Sequence, residues 1–366
     1  MRIGINATIL HEKPSGLGIF TINIIREVAK KMDENNKLVI YTSNAEPFKE
    51  LDVEIRLAPK LISPKYKKVG GLFRFLWSQL IYPIKLKKDK VDLVYSTTHH
   101  GTFFSNIPQI ITIHDLLPII FPNQHRLQNY YFKYITPILL KNTNRVITVS
   151  HNTKKDIISE YEYKDIDIVY NSYDKEHFVK KKNNHFKKKY GDYFLFLGAS
   201  YPHKNLENAV KAFFLLNEEN PNLKMVIAGG QKSYRDELLS KIKEERGDLN
   251  NIEIIDYVSY KDLPVLYSNS LALLYPSYYE GFGIPPIEAM ACGCPVIVSN
   301  TSSLPEVCSD AAVYIEPGNV DSIKDGMEKI LNNEEYKNQL IELGYKNIER
   351  FSWEDSAEKL INCLRI

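Results

Sequence analysis

Short apolar runs recur along this chain, each bounded by turn residues and each followed by a stretch with helical spacing. Gln109–Ile113 and Arg145–Val149 are almost continuously apolar. A strand with one wet face alternates, whereas a strand covered by helices on both faces reads as an unbroken run. Parallel sheets sandwiched between helices are therefore expected. The first series opens with a strand at Arg2–Asn6 and a helix over 18–31, where Ile19, Ile22, Ile25, Val28 and Ala29 keep helical spacing. Strands at Leu38–Tyr41, Leu93–Tyr95, Gln109–Ile113, Arg145–Val149 and Asp167–Tyr170 follow, with helices over 125–141 and 151–160. Lys180–Lys182 and Lys187–Lys189 bracket a polar stretch that reads as a connector. The pattern then restarts. Strands at Tyr193–Leu197, Leu223–Ala228, 252–255, 271–274 and Pro295–Ser299 alternate with helices over 205–217, 233–245, 261–268 and 286–292.

Two such series in tandem predict an α/β architecture of two doubly wound, Rossmann-like domains facing a central cleft. The expected domains are 1–182 and 190–350. Residues 351–366 carry a helical tail that is expected to pack back on the first domain. A chain of 366 residues is comfortable for two domains.

Composition removes several function classes. Hydrophobic residues make up 44% and charged residues 25%, as in a globular protein, and the net charge of +2 gives no reason to expect nucleic acid as a partner. No stretch approaches ~20 uninterrupted apolar residues, so no transmembrane helix is expected. The opening MRIGINATIL lacks a signal peptide's apolar core, and the four cysteines form no framework; a cytoplasmic location is the expectation. Charge is uneven, however. Residues 60–90 hold eight lysines and Arg74 against one acid, Asp89, interleaved with Phe73, Phe75, Leu76, Trp77, Leu80, Ile81 and Tyr82. That mixture suits either peripheral contact with an anionic membrane at its inner face or a core helix with solvated lysine flanks.

Candidate chemistry gathers at the ends of the expected strands. Glu280–Glu288 (EGFGIPPIE) follows the strand 271–274. Gly281 and Gly283 let backbone approach a ligand, and Pro285-Pro286 fits a helix start whose amides favour an anion. Glu288 is expected in the first turn, where it could accept hydroxyl hydrogens and be stabilised by the helix. Turn glycines with a helix cap would explain the same residues. YPHKN, Tyr201–Asn205, offers Lys204 and His203 to a diphosphate, or is a solvated loop. His114-Asp115 ends an apolar strand, the edge at which α/β proteins bind ligands. His99 and His100 follow another strand, but no compact metal spacing joins them to His114. Ser15-Gly16-Leu17-Gly18 lies between the first strand and helix without completing a dinucleotide fingerprint. Asp165-Ile166-Asp167 sits in a charged surface connection.

Taken in order, SGLGIF, IHDLLPIIFP, TVSHNTKKDI, VYNSYD, YPHKNL, EGFGIPPIEAMACGCPVI, TSSLPEV and RFSWEDSAEKL resemble the successive segments of the retaining GT-B glycosyltransferases of family 4. The likeness covers essentially the whole chain and is nearest to bacterial mannosyl- and rhamnosyltransferase-type enzymes of surface polysaccharide synthesis. It implies that Glu280 contacts the transferred sugar and Glu288 the ribose, with Gly283 and Ile284 amides and Lys204 on the sugar or diphosphate. It further implies that His114 stands beside the anomeric centre with Asp115 next to it, that Gly16 and Gly18 close near phosphate and acceptor, and that Glu306 contributes to the pocket. His203 stands where the family commonly has arginine, and Ile19 where it often has a basic residue. The implied reaction moves a hexose with retention, mannose from GDP-mannose first, onto a saccharide or lipid-linked oligosaccharide. UDP-, dTDP- or other GDP-linked sugars such as glucose, GlcNAc or rhamnose are the alternative. Neither metal nor cofactor is expected. A phosphorylase, an epimerase or a non-catalytic sugar-nucleotide-binding scaffold are the competing readings.

Overall fold

A computed structural model describes residues 1–12, 16–33, 35–246 and 248–365. The chain divides into two compact units, 1–172 with 351–366, and 173–350.

In the first unit seven strands form one sheet in the order β3-β2-β1-β4-β5-β6-β7. They are β1 Arg2–Asn6, β2 Lys37–Thr42, β3 Glu54–Leu57, β4 Leu93–Ser96, β5 Gln109–Ile113, β6 Arg145–Thr148 and β7 Ile166–Ile168. All pairings are parallel, with Ile3 opposite both Leu38 and Leu93. The central strands are buried along their whole length, which is why they read as unbroken apolar runs. β3 has no such signal: Glu54–Leu57 lies at the edge and none of its residues is buried.

The helix Gly16–Lys31 buries Phe20, Thr21, Ile24, Ile25 and Val28. It starts two residues earlier than periodicity predicts, so Gly16 and Gly18 belong to its first turn rather than to a preceding loop. Ser15 lies outside the described residues. The C-terminal helix Trp353–Leu364 belongs to this unit, with Trp353 against Phe20 (5.9 Å between ring centroids) and the Ser356 hydroxyl donating to the Tyr170 carbonyl at 2.7 Å.

The second unit repeats the design with six parallel strands ordered β10-β9-β8-β11-β12-β13. These are β8 Tyr193–Ala199, β9 Lys224–Gly230, β10 Ile252–Ile255, β11 Ala272–Tyr275, β12 Val296–Ser299 and β13 Val313–Ile315. Phe194, Phe196, Phe213, Met225, Ile227, Leu274, Ile297 and Met327 pack in its core. The lysine-rich connector lies inside this unit and is partly ordered as the helix His185–Tyr190, its Phe186 and Lys187 amides donating to Asn269 Oδ1 at 3.1 Å. Asp167, from the Asp-x-Asp string, sits on edge strand β7 and pairs with Arg145 at 3.2 Å. No helix among the described residues is long and apolar enough to cross a membrane.

Candidate functional site

In each sheet the chain reverses its winding beside the first strand, between β1 and β4 and between β8 and β11. Loops leaving the carboxyl ends of such a strand pair diverge, and the gap between them receives ligands in open α/β sheets.

In the second unit both loops at this point carry predicted residues. Past β8 the backbone turns through Gly198, at φ +81°, and the short turn Pro202–Lys204 to Asn205, at φ +63°. Asparagine tolerates that left-handed conformation. Its amide nitrogen donates to the Pro276 carbonyl at 3.0 Å and the Pro317 carbonyl at 2.6 Å. The post-β8 loop is thereby fastened to the post-β11 loop, and Lys204 Nζ reaches Glu280 Oε1 at 2.6 Å and the Tyr275 hydroxyl at 3.2 Å. Glu280 is held from behind: its amide donates to Ser302 Oγ at 3.0 Å, and its carbonyl accepts from Ser303 Oγ at 2.9 Å. Burial alone would raise the Glu280 carboxyl, but the charge and hydrogen bond of Lys204 outweigh it and bring it below the usual range. A buried, ionised carboxylate thus shares one corner with a cation. His203 occupies the same turn, almost fully buried, with its ring stacked on Tyr201 and its carbonyl accepting from the Tyr278 amide at 2.8 Å.

Gly283, at φ +108°, caps the helix Ile284–Ala291. A Cβ there would lie 2.9 Å from Leu304 Cδ2, so glycine is required by space as well as by dihedral. Pro285 and Pro286 have no N–H, which leaves the Ile284 amide as the donor of the opening residues. Glu288 is the fifth residue of this helix, not in its first turn as expected, because the helix begins at Ile284. The helix dipole therefore does little for it. Burial instead pushes its carboxyl up to about 7, offset in part by the Tyr267 hydroxyl, which donates to Oε2 at 3.1 Å. Glu306 stands on the neighbouring helix Leu304–Cys308, and its carbonyl accepts from Arg350 Nη2 at 3.1 Å.

In the first unit Thr97, just past β4, is the hub. Its hydroxyl lies 3.2 Å from the Asn6 carbonyl and 2.9 Å from the Thr21 hydroxyl, and its carbonyl is 2.9 Å from His114 Nε2. A carbonyl only accepts, so the His114 hydrogen sits on Nε2 and Nδ1 keeps its lone pair. The Phe20 ring meets the imidazole edge-on at 4.7 Å. Burial lowers His114 to about 4, so it is neutral near pH 7. The turn holding Gly16 and Gly18 thus leads into Phe20 and Thr21, which border His114 and Thr97. Asp115 Oδ1 accepts the Leu117 amide at 3.0 Å and opens the short helix Leu117–Ile120.

Tyr275, Tyr267, Ser302 and Ser303 carry no part in the sequence-based site, yet they position its carboxylates. Tyr275 alone had a legible cue, as a polar-tipped residue ending a buried strand.

Residues 14–177 match the family model described as Glycosyltransferase Family 4, and residues 177–347 match the one described as Glycosyl transferases group 1. The O-antigen chain mannosyltransferase RfbU of Salmonella typhimurium is 31% identical over 327 residues, covering 86% of this chain and 88% of that protein. Among solved structures, sucrose-phosphate synthase from Thermosynechococcus elongatus superposes with a TM-score of 0.76 at 16% identity, over 100% of this chain and 98% of that one. Anabaena HepE in complex with UDP and glucose gives 0.75 at 16% identity, over 100% and 99%. With two Rossmann-like sheets of this topology and both family models matched in succession, the chain belongs to the family 4/group 1 glycosyltransferases of GT-B fold and is a glycosyl-transferring enzyme.

Proposed function

We propose that this glycosyltransferase takes a hexose from a nucleoside diphosphate sugar and places it, with retention, on a saccharide or lipid-linked saccharide. The observation that carries the reading is the Lys204–Glu280 pair at the β8/β11 switch point, beside the helix start at Gly283 and Ile284. Lys204 and the two amides are the groups for a diphosphate, whose negative charge grows as it leaves; preorganised donors aimed at such charge are the main source of rate enhancement. Glu280 accepts sugar hydroxyls and Glu288 ribose hydroxyls, with His203 and Glu306 at the margin. His114 offers Nδ1 as a neutral acceptor on the acceptor side, with Gly16, Gly18 and Asp115 around it.

RfbU is described as a mannosyltransferase and aligns along nearly the whole chain, which supports mannose as the sugar. HepE is described with UDP and glucose, which keeps a UDP-linked hexose as the second reading. Nucleotide release from GDP-mannose, UDP-glucose, UDP-GlcNAc and dTDP-rhamnose, with and without acceptor, separates them. Lys204→Met and Glu280→Gln are each expected to lower kcat by about 100-fold or more on the productive donor. Undiminished turnover in both variants would remove the site assignment.

Peripheral membrane contact is part of this reading. The segment Lys67–Lys88 turns Leu72, Leu80 and Ile84 to the surface beside Lys85, Lys87 and Lys88, and Arg126–Lys141 turns out Leu127, Tyr130 and Ile138 beside Arg126, Lys133 and Lys141. Exposed apolar side chains rimmed by basic ones suit an anionic bilayer surface.

A further inference from the structure

We infer that the first unit holds an anion subsite built on Arg74, which receives a phosphate or diphosphate group carried by the acceptor. The inference rests on the glycosyl-transfer reading and names the chemistry of its second substrate. Arg74 projects from the helix Lys67–Leu76 and is only 6% exposed. Its Nε donates to the Ile62 carbonyl at 3.0 Å, and its Nη1 lies 3.3 Å from His100 Nε2. A guanidinium has five N–H donors, and these contacts use two. No carboxylate among the described residues pairs with it. The other deeply buried arginine, Arg235, shows what a structural role looks like here: it is 1% exposed and bonded to Asp236 at 2.9 Å and Asp256 at 2.5 Å. A buried cation without a counter-charge is costly, and native proteins pair such groups. Arg74 therefore lacks a counter-anion among the described residues.

The surroundings offer donors and ring edges rather than acids. Since Arg74 can only donate, His100 accepts at Nε2 and carries its hydrogen on Nδ1. His99 packs on His100 at 4.2 Å, and Tyr131 lies 5.2 and 5.5 Å from the two imidazoles, with Phe75 behind it at 6.0 Å. Position links this cluster to the candidate reaction centre. One short segment, Thr97–His100, holds His114 through its first residue and Arg74 through its last. Three residues of chain span at most about 10 Å. An acceptor whose phosphate rests on Arg74 would present a hydroxyl of an adjoining sugar near His114.

Inorganic pyrophosphate is the first probe, read by thermal melting. With the donor-site lysine removed, it is expected to stabilise Lys204→Met but not the double variant Lys204→Met/Arg74→Met. Equal protection of Lys204→Met and Lys204→Met/Arg74→Met, or none in Lys204→Met, places the anion away from Arg74 and overturns the inference. Kinetics then compare a prenyl diphosphate-linked hexose, a soluble hexose 1-phosphate and an alkyl hexoside as acceptors. Arg74→Met is expected to raise KM about tenfold or more for both phosphorylated acceptors, the loss of a charged hydrogen bond, and to leave the alkyl hexoside unchanged. The better of the two phosphorylated acceptors identifies lipid or soluble origin. Equal losses on all three acceptors would overturn the subsite. Arg74→Lys, which keeps charge without the fork, is expected to be intermediate and serves if Arg74→Met does not fold. Failure to turn over any donor would refute the transfer reading, while the pyrophosphate result would still decide the subsite.

Discussion

Glu280 and Glu288 are both buried, yet their surroundings push them in opposite directions. Glu280 has Lys204 against it and stays ionised. Glu288 has only a tyrosine hydroxyl and is raised from 4.5 to about 7. A carboxyl whose folded value is raised contributes stability that is fully present below its unfolded value and is lost as pH rises through the folded one. The unfolding free energy of wild type is thus expected to carry a component that falls between pH 4.5 and about 7, absent in Glu288→Gln. Denaturant melts at stepped pH test this, and identical pH slopes in the two proteins would contradict it. Gly283 gives a second residue-scale expectation. Gly283→Ala combines a left-handed backbone with a 2.9 Å approach to Leu304 Cδ2, and should destabilise by about 1–3 kcal/mol. It should also raise the donor KM by displacing the Ile284 amide; an unchanged KM would separate that amide from donor binding.

At the scale of elements, the two surface helices share an unusual construction. Trp77–Ile81 and Tyr131–Ile135 are π turns, followed by Pro83 and Pro137 in the next helical segments. Proline cannot donate to the helical ladder, and a π turn lets the helix continue across the gap. Hydropathy shows the prolines and the apolar residues, but periodicity drifts at a π turn, so the exposed faces were not legible. Those faces carry the membrane prediction. Wild type is expected to float with vesicles containing anionic lipid and not with neutral ones, and Leu72→Glu/Ile84→Glu to remain in the soluble fraction. Equal flotation of both proteins would refute contact through this surface.

For the whole molecule, the C-terminal helix completes a unit that begins at residue 1. Phe351, Trp353, Ala357, Leu360 and Leu364 are all buried. Deleting residues 351–366 should cost the first unit on the order of 5 kcal/mol or more, since each large apolar side chain contributes about 1.5–3 kcal/mol. Calorimetry is expected to show the first unit's transition lowered or lost and the second unit's retained; two unshifted transitions would show that the tail is dispensable.

Apolar runs and turn residues by themselves determined the α/β class and most central strands, because a doubly covered strand must be apolar throughout. β3 and β13 escaped: β3 is an edge strand with no buried residue, and β13, though Val313 and Ile315 are buried, is only three residues long. Local pattern also marked Lys204, Glu280, Gly283 and His114 as residues at strand ends. Only the tertiary structure decided that Lys204 and Glu280 meet, because the Asn205 bonds to Pro276 and Pro317 join segments that no periodicity connects. It alone moved Glu288 out of the first helical turn and raised its carboxyl. It alone left Arg74 buried beside histidines instead of acids, because burial and pairing are properties of neighbours in space.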